Sequence, residues 1–173
     1  PEICLSTSSG VPQLHHFSFP ELISFKDVSS KFDSGAGIEY ATFDVGSGEF
    51  VCIIGPTGAG KTTLLRLIHM DILPDGGTVT VDNFSSDKIK RRKIPLLRRK
   101  VGMVFQEFEL LNDRTVFDNV AIPLHVQGVG MKVVKEEVEN CLDRLGISDR
   151  RDHLPSQLSG GEQQIVSLAR ALV

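Results

Sequence analysis

The chain has 173 residues, 40% of them hydrophobic and 24% charged, which is the length and balance of one globular domain with a proper core. A formal net charge of −3 excludes a global electrostatic footprint for nucleic acid, and no apolar run approaches the roughly 20 residues of a membrane span. Cys4, Cys52 and Cys141 are odd in number, far apart and without metal-type spacing, which points to a reducing compartment.

Residues 1–20 are rich in Ser, Pro and His and show no sustained period, so they read as a flexible extension. His15–His16 is a pair without partner ligands. From Glu21 to Phe32 the pattern alternates loosely. Ser34–Gly37 is a turn signal, and Ile38–Val45 alternates again. An antiparallel hairpin is therefore expected, with Gly46-Ser47-Gly48 turning into the next segment. Phe50–Ile54 is a continuous apolar run, as for a strand buried on both faces, which would make Cys52 a small core residue.

Gly55-Pro56-Thr57-Gly58-Ala59-Gly60-Lys61-Thr62 matches G-x-x-x-x-G-K-[ST] at every fixed position. Glycines let the chain bend tightly and turn its N–H groups inward around an anion. The start of the following helix, from Thr63 onward, adds further N–H groups. Lys61 brings a positive charge to the β- and γ-phosphates, and the Thr62 hydroxyl is placed for Mg²⁺. Strand, glycine loop and helix together are the context this motif requires.

Pro74–Gly77 is a further turn and Thr78–Val81 a short strand. Lys88–Lys100 holds eight of the chain's 19 Lys and Arg and none of its 22 Asp and Glu. Only Phe84 lies near for base stacking. The segment reads as a solvated helix and turn broken by Pro95, with Ile94, Leu96 and Leu97 facing inward, or as a contact for anionic lipid headgroups. Val101–Phe105 reads as a strand ending at Gln106. Thr115–Leu124 mixes helix and loop character around Pro123. Met131–Leu145 is the clearest amphipathic helix, with Met131, Val134, Val138, Cys141, Leu142 and Leu145 on one face and Gly146 as its C-cap.

Leu158-Ser159-Gly160-Gly161-Glu162-Gln163 is the second strong motif. Ser159 with Glu162 three residues on is a capping box, so a helix starts here. Glycines in its first turn leave N–H groups bare at the positive end of the helix dipole, a second anion site. Taken alone it is also an ordinary capped helix.

The two motifs together resemble the ATP-binding-cassette ATPases, from about Glu21 to Val173. The resemblance implies an α/β P-loop fold with an N-terminal antiparallel β subdomain and an inserted helical subdomain at roughly 107–160. It implies that ATP and Mg²⁺ bind at Gly55–Thr63, with Lys61, Gln106, Ser159 and Gly161 in catalytic roles and Thr62 and Gln106 on the metal. Phe32 is the match for the adenine-stacking aromatic, Phe in place of the usual Tyr. A head-to-tail homodimer would bring Ser159 and Gly161 of one copy to the γ-phosphate held by the other.

Arg91–Gln106, Leu110–Ala121 and Leu158–Arg170 look like the family's bacterial cell-division branch, although Ile165 stands where an Arg is usual. That branch implies a peripheral ATPase at the cytoplasmic face of the inner membrane, working with an FtsX-like integral membrane subunit. Phe108, Leu110 and Leu111 are the candidate contacts, core packing being the alternative. An exporter or lipoprotein-release ATPase, or a truncated nucleotide-binding module, are the other readings. The family's Asp-Glu strand and switch histidine have no match here, and the chain lacks an initial Met. It therefore reads as a fragment incomplete at the C-terminus, able to hold ATP but expected not to turn it over.

Overall fold

The computed structural model describes residues 4–7, 21–31 and 37–173, the first four and Glu21 by backbone alone. Phe32, His15–His16 and most of the Ser34–Gly37 turn lie outside the described residues. The chain divides into two compact units, one ending at Arg98 and one running from Arg99 to Val173.

In the first unit, β2 (Glu21–Lys31) and β3 (Gly37–Gly46) form the expected antiparallel hairpin. β5 (Gly76–Val81) and β6 (Phe84–Ser85) extend it into a four-stranded antiparallel sheet, ordered β3-β2-β5-β6. Alternation places Val79 and Val81 on the buried face, while a break in register between Phe25 and Val28 on β2 lets both of these residues, three apart, be buried along with Ile38. Phe25 and Phe43 are cross-strand partners whose rings stack at 4.5 Å. The turn into β5 requires glycine. Gly77 has φ 75°, and a Cβ there would sit 2.3 Å from the carbonyl oxygen of Asp27.

A separate antiparallel pair joins β1 (Cys4–Thr7), which lies within the N-terminal extension, to β4 (Val51–Ile54). β4 is the strand expected before the phosphate loop, but it is not buried on both faces. Cys52 is exposed, and Phe50 and Ile54 are 74% and 54% exposed. An apolar run is buried only where neighbours cover it, and among the described residues β4 has one partner strand. Helix α1 (Lys61–Ile68) follows the loop and buries Thr63, Leu64 and Leu67.

The basic segment forms a single 3₁₀ turn at Arg91–Lys93 and then α2 (Ile94–Arg98). Pro95 does not break it, because it occupies the first turn, where a missing N–H costs no helical bond. Only Leu97 is fully buried, Ile94 is half-buried, and Leu96 is exposed rather than inward. Arg98 turns back to donate to the carbonyls of His69 and Met70 at 3.2 and 3.1 Å and to pair with Asp71 at 2.6 Å. A cation is thereby placed on the carbonyls just past the C-terminal end of α1.

The second unit is helical: α3 (Val116–Val126), α4 (Met131–Arg144) and α5 (Gly160–Leu172). Their core holds Val116, Val120, Ala121, Leu124, Val134, Val138, Leu142, Ile147, Leu158, Val166 and Ala169. Val134, Val138 and Leu142 recur at i, i+4 and i+8 on α4, as its pattern requires. Met131 is exposed, while Cys141 and Leu145 are half-buried. Gly146 (φ 69°) closes α4 in a Schellman motif, with its N–H bonded to Asp143 and that of Ile147 to Leu142, both at 3.0 Å.

Two expectations fail in this unit. α3 runs unbroken through Pro123, because a Thr115–Asp118 capping box starts it and the buried stripe Val116, Val120, Leu124 holds it against α4 and α5. Val101–Phe105 is not a strand. A strand needs a ladder partner, and the described residues of this unit contain none. The segment lies instead against the end of α5, so closely that a Cβ on Gly102 would come within 2.5 Å of the Ala171 carbonyl oxygen.

Candidate functional site

The phosphate loop takes its shape from its own residues. Gly58 and Gly60 have φ of 83° and 96°, the left-handed region that a side chain resists. Gly60 is the N-cap of α1, with no side chain bonded across the helix start. The Ala59 N–H bonds to the Pro56 carbonyl at 3.2 Å, tightening the turn. Lys61 curls over it, its Nζ donating to the carbonyls of Gly55 at 2.7 Å and Pro56 at 2.8 Å. Pro56, Thr57, Gly58 and Thr62 are exposed, whereas Ala59 and Thr63 are buried.

These features fit a polyphosphate bound with a divalent cation. The bare helix start offers N–H groups to phosphate oxygens, and Lys61 retains a donor beyond the two carbonyls. The exposed Thr62 hydroxyl can serve as a hard oxygen ligand. Thr63 can contribute only its backbone N–H, since its side chain is packed away.

The second motif sits on α5. Ser159 Oγ accepts from the Glu162 N–H at 3.3 Å, while Glu162 Oε2 accepts from the Ser159 N–H at 2.7 Å and from its hydroxyl at 2.6 Å. Arg150 pairs with the other carboxylate oxygen at 2.8 Å. The Arg150 guanidinium, then the Ser159 hydroxyl and N–H, hold the Glu162 carboxyl at about 2, down from an ordinary 4.5. Gln163 donates to the carbonyls of Pro155 at 3.1 Å and Leu158 at 3.3 Å, fixing the approach to the helix. Gly160 and Gly161 are exposed, and a Cβ on either would meet nothing within 4 Å. The fold of this chain does not itself demand glycine there, so the bare turn suits something that approaches from outside.

Gln106 is exposed and opens a loop through Leu111. Of the candidate partner contacts, Leu110 packs against the helical core, Phe108 is half-buried and Leu111 is 46% exposed. Sequence reasoning missed the residues that hold this loop. Asn119, fully buried, accepts from the Leu111 N–H at 2.8 Å. It also donates to the carbonyls of Leu111, Arg114 and Thr115 at 3.0, 3.1 and 3.0 Å. An Asn amid the apolar positions of a helix is the one signal that could have disclosed it.

The chain belongs to the ABC transporter family, whose pattern it matches over residues 38–173. Its fold is the ABC ATPase form of the P-loop NTPases. Among relatives, it is 40% identical over 153 residues to the cell division ATP-binding protein FtsE of Streptococcus pneumoniae serotype 2, covering 88% of this chain and 66% of that protein. It is 42% identical over 155 residues to a methionine import ATP-binding protein, MetN 2 of Bacillus cereus, covering 87% of this chain and 46% of that one. The chain therefore spans between about half and two thirds of the length of these relatives. The ATP-binding cassette MJ0796, solved as a dimer in a post-hydrolysis state bound to ADP and Pi, superposes with a TM-score of 0.79 at 30% identity, covering 87% of this chain and 68% of that one. No helix among the described residues is long and apolar enough to cross a membrane.

Proposed function

We propose that this chain is the ATP-binding part of a peripheral ATPase that drives an integral membrane subunit, in the manner of the cell-division ATPases. The observation that carries this reading is the presence on one chain of two glycine-bearing helix starts, Gly60–Lys61 with no side-chain cap and Ser159–Gly161, which is capped only at Glu162. Each offers N–H groups to an anion, and the second has no use for its glycines within its own fold. In a head-to-tail homodimer, Ser159 and Gly161 of one copy would face the phosphates held by the loop of the other, and the dimeric state of the cassette MJ0796 supports a two-copy assembly.

Phosphoryl transfer from ATP asks a protein chiefly for positioning and charge stabilisation. Mg²⁺, when bound, would supply neutralisation of the triphosphate's negative charge. Lys61 and the N–H groups from Gly58 to Thr63, apart from that of Ala59, which bonds to the Pro56 carbonyl, would hold the phosphate oxygens, and Pro56 and Thr57 would line the approach. Thr62 would supply the hydroxyl ligand, Gln106 would orient toward the metal, and Phe32 would stack on adenine. Residues around 107–160 would form the helical subdomain that meets the membrane subunit. Lys88, Lys90, Arg91, Arg92 and Lys93, all exposed, suit the anionic headgroups of the inner membrane's cytoplasmic face.

Lys61→Ala tests the nucleotide reading. It removes a charge-assisted contact, so affinity for a fluorescent ATP analogue should fall at least about tenfold. Undiminished binding would overturn the proposal. The cell-division role is supported by the likeness to FtsE, and a methionine-import role by a comparable likeness to MetN. Capture of an FtsX-like subunit separates them, and Leu111→Asp locates the contact, because Leu111 is exposed and can change without disturbing the core that Leu110 joins. Co-purification with an FtsX-like subunit should be lost while ATP binding persists. Failure of the unaltered protein to capture that subunit at all would favour the import role.

A further inference from the structure

The loop that begins at Gln106 turns on two successive non-glycine residues in the left-handed region, Phe108 (φ 58°) and Glu109 (φ 46°). Side chains resist that conformation, and it persists only where surrounding groups impose it. Backbone bonds from Phe108 to Phe105 (3.2 Å) and from Glu109 to Glu107 (2.6 Å) close the turn, Asn119 holds its far end at Leu111, and the carbonyls of the two left-handed residues are held from one face of α5. Arg170 Nη1 donates to the Glu109 carbonyl at 2.7 Å, and Nη2 to the Phe108 carbonyl at 2.8 Å. Ser167 Oγ, fully buried, donates to the same Phe108 carbonyl at 3.3 Å. The planar fork of a guanidinium matches two adjacent carbonyls in a way that a lysine cannot. Arg170 is half-buried, and burial lowers its pKa against the opposing pull of Glu109.

We propose that Arg170, assisted by Ser167, is a positioning residue that ties the Gln106 loop to the last turns of the helix whose first turn carries the Ser159–Gly161 motif. Arg170 lies ten positions after Gly160 on α5, a rigid span of about 15 Å. A displacement at the glycine turn is thus delivered to the backbone two residues beyond Gln106. The clamp stands on the geometry of the second unit, while its consequence for nucleotide rests on the proposed function.

The experiment has two arms, in the intact protein and its Arg170→Ala and Arg170→Lys variants. Hydrogen exchange reads the clamp. Amides of 107–111 should exchange at least about tenfold faster in Arg170→Ala, with α4 and the middle of α5 still protected, and Arg170→Lys should lie between. Unchanged loop exchange would overturn the proposal. If Arg170→Ala does not fold, Arg170→Lys alone is decisive on the same criterion. The second arm reads positioning. The Mg²⁺ concentration for half-maximal ATP binding should rise about tenfold in Arg170→Ala and be partly restored in Arg170→Lys, with metal-free ATP affinity unchanged. Parallel loss of both affinities would mark a merely structural residue and refute the positioning role. If the unaltered protein binds no ATP, the proposed function fails, and the exchange arm still decides whether the clamp exists.

Discussion

The phosphate loop and the loop after Gln106 are both tight turns with left-handed residues, yet they are held in opposite ways. Gly55–Thr62 bends on Gly58 and Gly60 and is braced by Lys61, a member of the same octapeptide. The other loop bends on Phe108 and Glu109 and is braced by Asn119, Ser167 and Arg170, the last two 59 and more residues away from the carbonyls they bind. An anion cradle needs bare N–H groups, so glycine supplies the bend there. The loop after Gln106 carries side chains at its left-handed positions, and it obtains its geometry from distant donors instead.

That contrast can be broken by experiment. If the second unit depends on distant packing, Leu142→Ala, which empties a fully buried position, should destabilise by about 2–5 kcal/mol in urea unfolding. Loss of less than about 1 kcal/mol would mean the helices stand without that core. Asn119→Ala should come next, at about 2 kcal/mol, because it strands backbone groups of Leu111, Arg114 and Thr115. Gly60→Ala should cost only about 1–2 kcal/mol of left-handed strain while abolishing binding of the ATP analogue. A variant that binds normally would show that the bend is not what the site needs.

The smallest effect concerns pH. The folded Glu162 carboxyl sits at about 2 against an ordinary 4.5, so its contribution to stability is complete above about pH 4.5 and is lost as pH falls toward 2. Glu162→Gln should flatten the dependence of the urea midpoint across that window. An unchanged slope would deny the Arg150–Glu162–Ser159 group its part in holding the helix start.

Much of the architecture was legible because its causes are local. Alternation marked β2, β3 and β5, and the 3.6-residue stripe of Val134, Val138 and Leu142 marked α4. Gly146 marked its end, and the Ser159–Glu162 spacing marked the start of α5. Each of these signals acts within one turn or one strand pair. The phosphate loop was equally plain, since both its bend and its charge come from consecutive residues.

What the tertiary structure alone decided lies where the determining partner is remote in sequence. Val51–Ile54 and Val101–Phe105 are both apolar runs. The first became a half-exposed strand paired with Cys4–Thr7, with Cys52 and Ile54 on its open side. The second took no strand form beside α5. Helix α3 continued through Pro123 because α4 and α5 bury its other residues. Arg170 and Asn119 looked like unremarkable helical positions until the chain folded and brought the carbonyls of Phe108, Glu109 and Leu111 to them. Local periodicity and short-range hydrogen bonds are written in residue order, whereas burial and long-range donors exist only once the chain has closed on itself.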